Sequence, residues 1–158
     1  MITAHLPAGY LLGRGVNRPG RFVLPAALAG AVFPDFDLAY FVLIDNWSVH
    51  HHRYWVHVPF FWMILSAVIL PLVWRTAARL PALAFLASVF LHLILDTVVG
   101  DIMWGAPFST RLVSFFDVPP SHDFWLWSFL LHWSFALEAS IWVAAVTLWI
   151  NRPRRQAA

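Results

Sequence analysis

His92 and Asp96 stand four residues apart within Phe90–Gly100, FLHLILDTVVG. On a helix that spacing puts both side chains on one face, about 6 Å apart. An imidazole and a carboxylate so placed make a pair of metal ligands or a proton relay. A carboxylate in an apolar span is costly, so it should face the inside of a bundle and find partners there. Residues of the same types recur along the chain. Asp35 and Asp37 follow Pro34, His52 and His57 bracket Arg53, and His5 lies near the start.

The donors are imidazole and carboxylate, and the chain has no cysteine, so thiolate sites and disulfides are excluded. That set suits Zn²⁺ first, with Mn²⁺ or Fe as alternatives, in a catalytic rather than a structural site. Mg²⁺ alone would prefer oxygen ligands. More than four candidates leave room for one to three ions. Multi-ion sites clamp the attacking and leaving oxygens of a phosphoester displacement and acidify a water. The candidate ligands are Asp35, Asp37, His52, His57, His92 and Asp96, with His5 a further one. Arg53 is the candidate for holding negative charge on a phosphate, because a guanidinium grips two oxygens at once. Asp37 or Asp96, whichever is not a ligand, is the candidate for taking the proton from water. A single histidine in a membrane helix ordinarily bonds a backbone group or a hydroxyl. His50, His122 and His132 are therefore left unassigned, as is Glu138, which lies six residues from His132 and so on another face.

The composition says where these residues sit. Of 158 residues, 61% are hydrophobic and 11% charged, against about 25% charged in a soluble domain. Mean hydropathy is +0.70. All ten basic residues are Arg, and the high isoelectric point reflects few charges rather than a nucleic-acid surface. Ten Trp match belts at two membrane interfaces. No cleavable signal peptide is evident, since Leu6–Leu12 is short and holds Pro7 and Gly9.

The pattern predicts an all-α polytopic membrane bundle over residues 1–158, one domain with four transmembrane helices. These are Phe22–Ile44, His57–Trp74, Leu80–Gly100 and Phe124–Ile150, with Met1–Gly13 a short half-spanning or re-entrant helix before them. Asp35 and Asp37 would point about 200° apart on a regular helix. Pro34 predicts a break that turns both inward. Eight of the ten Arg fall in the loop before the first span, the loop between the second and third, and the tail. The positive-inside rule then places those regions in the cytoplasm and the His-rich loop outside. At 1.5 Å per residue, Asp35 lies about 20 Å above the start of its span, His92 about 18 Å and Asp96 about 24 Å. His57 tops its own span, and His132 lies about 12 Å below the outer start of the last one. His5 reaches that layer only if the first segment descends from it to Arg14.

The ordered set His5-x-x-x-Gly9, Pro34-Asp35-x-Asp37, His52-Arg53-x-x-x-His57, His92-x-x-x-Asp96 and Trp104-x-x-Pro107 resembles the YdjM-like family over about the first 110 residues. The resemblance implies a LexA-binding, inner-membrane-associated, metal-dependent hydrolase. The family pattern around Arg53 reads His-Arg-Gly-x-Thr-His-Ser; here Tyr54, Val56 and Val58 replace the Gly, Thr and Ser. The family is itself distantly similar to zinc-dependent phospholipase C, whose His-x-x-x-Asp pair His92 and Asp96 match. Its later His-x-x-x-Glu pair is not reproduced.

Together these lines predict a bacterial inner-membrane hydrolase with its site toward the extracytoplasmic side. The substrate would be a phosphoester or ester of a lipid or lipid-linked molecule, with no nucleic-acid partner. A metal carrier or sensor built on the same ligands, a b-type haem protein with axial His92 and His132, and a scaffold with a buried polar network are the alternatives.

Overall fold

The computed structural model describes residues 3–16, 20–45 and 51–151. His50 and the basic tail Arg152–Arg155 lie outside the described residues, as does Arg18. The described chain is helical: α1 His5–Gly15, α2 Val23–Val32, α3 Asp37–Leu43, α4 Pro59–Val73, α5 Arg79–Thr97, α6 Trp125–Leu130 and α7 Ser134–Ile150. Short 3₁₀ turns at Pro34–Phe36, His51–Arg53 and Trp55–His57 join α2, α3 and α4.

Helix α5 is the centre, touching α1, α2 and α4. Small residues permit its closest approach, to α2. A Cβ on Gly30 would run into the backbone carbonyl of Phe85. The same device seats α1 on α2. Gly9 and Gly13 lie one turn apart, against Ala27 and Ala31, which are also one turn apart. Without water to drive association, membrane helices rely on such close van der Waals contact. Three apolar clusters show how the helices run. Leu12 and Val16 meet Val23 and Leu80 at one end. Trp62, Val89 and Leu93 fill the middle. Ala4 and Ala8 meet Leu95 at the other end. So α1 runs against α2 and α5, as the descent from His5 to Arg14 requires.

Of the four expected spans, α5, at 19 residues, is long and apolar enough to cross a membrane. Helices α2 and α3 pass the same test only as a pair, bent by 49° at Pro34. Helix α4 and helix α7 are apolar but shorter, at 15 and 17 residues. The last segment is not continuous: it turns between Leu130 and Ser134, where Ser134 pairs with the His132 ring nitrogen at 2.8 Å. That break carries neither Pro nor Gly, which is why the sequence reads straight through it. Beyond α5 the chain folds back on itself. Ile102 and Val113 pair as an isolated bridge. The Phe115 and Phe116 N–H groups donate to the Thr97 and Val98 carbonyls at 2.8 and 3.0 Å, serving the helix end.

Candidate metal centre

Helical stripes aim the site. Ala84, Ser88, His92 and Asp96 follow one another every fourth residue of α5, and all four are buried. His5, Gly9 and Gly13 form the equivalent stripe on α1, so the glycines that seat α1 also point His5 inward. On the α2 side Asp35 lies in the 3₁₀ turn Pro34–Phe36 that follows the helix, four residues after Ala31. His52 and His57 come from the two 3₁₀ turns before α4. The second turn is held by the Trp62 indole N–H, which donates to the Val56 carbonyl at 2.8 Å. Tyr54, where the family pattern has Gly, donates its hydroxyl to Asp45 and sets its ring edge-on to Tyr40, 5.6 Å between centroids.

Asp96, 2% exposed, is the hub. Its Oδ1 lies 3.0 Å from His5 Nε2. Its Oδ2 lies 3.0 Å from His92 Nε2 and 3.7 Å from the Nε2 atoms of both His52 and His57. Asp35 Oδ1 is 3.6 Å from His92 Nε2. The rings are crowded, those of His5 and His92 stacking at 3.8 Å between centroids.

Three of these imidazoles are anchored from behind. His92 Nδ1 faces the Ala31 carbonyl at 2.8 Å, which is one of the last four carbonyls of α2 and has no helical partner to serve. His52 Nδ1 faces the Gly100 carbonyl. A Cβ on Gly100 would lie 2.8 Å from His52 Cε1, so only glycine lets the ring in. His57 Nδ1 faces Asp37 Oδ2 at 2.7 Å. A carbonyl or carboxylate oxygen can only accept, so each Nδ1 carries the proton, a tautomer assigned from these partners. In a neutral ring Nε2 then presents a bare lone pair. The three Nε2 lone pairs are aimed at carboxylate oxygens, which repel them unless a positive charge lies between. Three buried imidazolium ions would be costly to desolvate. A divalent cation would satisfy these atoms, and ligating histidines ordinarily donate their other N–H in this way.

The donor set therefore fits a metal. Among the described residues, three overlapping groups have their ligand atoms within 4.8 Å of one another: His5, His92 and Asp96; Asp35, His57 and His92; and His52, His57 and Asp96. The structure thus brings together six of the seven predicted ligands. Asp37 stands apart from them; it orients His57 instead of joining the converging atoms. Arg53 follows His52 but is exposed. His122 is exposed and His132 caps α7, so neither joins these groups. Glu138, fully buried, accepts from the backbone N–H and hydroxyl of Thr3 at 2.8 and 2.7 Å. It thereby ties α7 to the residues just ahead of His5. Sequence reasoning missed this tie, along with the Ala31 and Gly100 carbonyls.

A family model described as YdjM inner membrane protein matches residues 1–157. No curated protein and no solved structure matches the chain, and the distant similarity to zinc-dependent phospholipase C is not shown by these comparisons.

Proposed function

The chain belongs to the YdjM inner membrane protein family, and on that premise we propose that it is a membrane-embedded, metal-dependent hydrolase of a lipid or lipid-linked phosphoester or ester. The observation that carries the proposal is the convergence of the His52, His57 and His92 Nε2 atoms on Asp96, each ring fixed through its other nitrogen. Zn²⁺ is the favoured ion, at one to three per chain, with Mn²⁺ or Fe as substitutes. Such an ion supplies Lewis acidity toward a substrate oxygen and makes water a nucleophile near neutral pH.

The protein's own residues divide the remaining work. His5, His52, His57, His92, Asp35 and Asp96 bind; Asp37 holds His57 in the right tautomer. Asp35, with 32% of its side chain exposed against 3% for Asp96, stands at the open edge, where the carboxylate oxygen it does not give to the ion is free to take the proton from water. Arg53, exposed beside His52, meets the phosphate. The bent α2–α3 pair, α4, α5 and the α6–α7 pair cross the membrane, with α1 re-entrant. Arg14, Arg21, Arg75 and Arg79 sit at the ends of their helices remote from His5, Asp35 and Asp96. That distribution supports a site on the extracytoplasmic side.

The test is hydrolysis of phospholipid vesicles and of a panel of soluble phosphoesters and esters by zinc-loaded protein. Turnover should fall by at least about 100-fold in His92→Ala. One observation favours a second assignment, a non-enzymatic metal carrier or sensor: His57, His92 and Asp96 are all at most 2% exposed. Exchangeable metal with no cleavage of any substrate would establish that assignment and overturn hydrolysis.

A further inference from the structure

On the far side of α1 from the metal centre a groove of about 370 Å³ runs between α1, α2 and α7. Leu6, Tyr10, Leu28, Trp142, Ala145 and Trp149 line it. We propose that this groove is a binding site for one acyl chain of a membrane phospholipid.

Three observations point there. The groove opens on apolar residues exposed in this inner-membrane protein: Leu6, Trp142, Val146 and Trp149 are 48%, 43%, 43% and 52% exposed. It is therefore continuous with the bilayer, whose hydrocarbon is the material at hand to fill it. The lining brings no charged side chain, so an occupant with polar backbone would gain no partners for it. A hydrocarbon chain loses nothing there. One lining residue carries an unsatisfied hydroxyl: Tyr10 Oη is buried and has no hydrogen-bond partner among the described residues. A buried hydroxyl without a partner is unfavourable, and the ester carbonyl at the head of an acyl chain would accept from it.

The site has a consequence for the metal centre. The groove lies between the two helices that Glu138 and Thr3 already tie together, and Trp142, on its wall, donates to the Thr3 hydroxyl at 3.2 Å. A chain seated there supports the face of α1 opposite His5.

The experiment is native mass spectrometry of the full chain purified in mild detergent, with metal content measured on the same samples. Wild type should carry a phospholipid-mass adduct. Ala145→Trp fills the groove from its buried floor and should lower adduct occupancy about tenfold. Ala145→Leu should give an intermediate loss, and keeps the test alive where the Trp variant fails to fold. Val143→Trp, at an exposed position on α7 outside the lining, should retain the adduct. Absence of the adduct from wild type overturns the proposal. So does an adduct unchanged in folded Ala145→Trp or Ala145→Leu. A dimer that those variants dissolve also overturns it, because a second copy then fills the groove. Hydrolysis stands or falls separately: lipid retention following this pattern in protein without metal overturns the metal centre alone.

Discussion

Asp96→Asn should empty the metal centre while leaving its shape in place. The substitution conserves volume and removes one negative charge, at an atom pair that faces four imidazole nitrogens within 3.0–3.7 Å. Two unit charges 4 Å apart at an effective dielectric of about 20 interact by about 4 kcal/mol. Losing that attraction toward even a singly charged partner weakens binding by about 10³-fold. A ligand present at 10³ times its Kd stabilises the fold by about 4 kcal/mol, or roughly 10 °C of Tm for a chain of this size. Elemental analysis and thermal unfolding in detergent, each with and without chelator, make a closed cycle. Wild type should lose metal and about 10 °C on chelation. Asp96→Asn should begin there and not respond. The competing account has no metal and keeps the cluster together by imidazolium–carboxylate attraction. In that account chelator leaves wild type untouched, while Asp96→Asn strands buried positive charge at a cost of about 3–5 kcal/mol. Equal metal content in wild type and Asp96→Asn, or a chelator-blind wild type beside a destabilised variant, refutes the cation.

Asp37→Ala removes the acceptor that orients His57 and should weaken zinc binding about 10–100-fold, read by competition with a chromophoric chelator. Gly30→Ala places a methyl group against the Phe85 carbonyl and should destabilise by about 1–3 kcal/mol or more, seen as a lower Tm both with metal and without it. Arg53→Ala, changing an exposed side chain, should leave metal content unaltered while lowering phosphoester turnover; a parallel loss of metal would show that Arg53 acts structurally. Zinc affinity should fall as pH drops through the imidazole range near 6.5, because each ligand must lose its proton to bind. Metal retained undiminished at pH 5 would argue against four histidine ligands.

Much of the centre was legible along the chain because its spacings are local. His92 and Asp96 face each other as the four-residue interval demands, at 3.0 Å. Pro34 bends the α2–α3 pair because a proline supplies no N–H and clashes with the preceding turn. Donor chemistry, absence of thiols, and a membrane setting all follow from residue types. Other features depend on contacts between distant segments. Whether Asp35 or Asp37 joins the converging atoms depends on how far the break turns the chain, which local preferences do not specify. The Glu138–Thr3 tie spans 135 residues. The carbonyls of Ala31 and Gly100 are common to every residue type, so no side chain announces that they would anchor His92 and His52. Composition and spacing determined which groups are present and which neighbours share a face. Packing of small residues between α1, α2 and α5 decided which faces meet, because backbone approach is a property of two helices together.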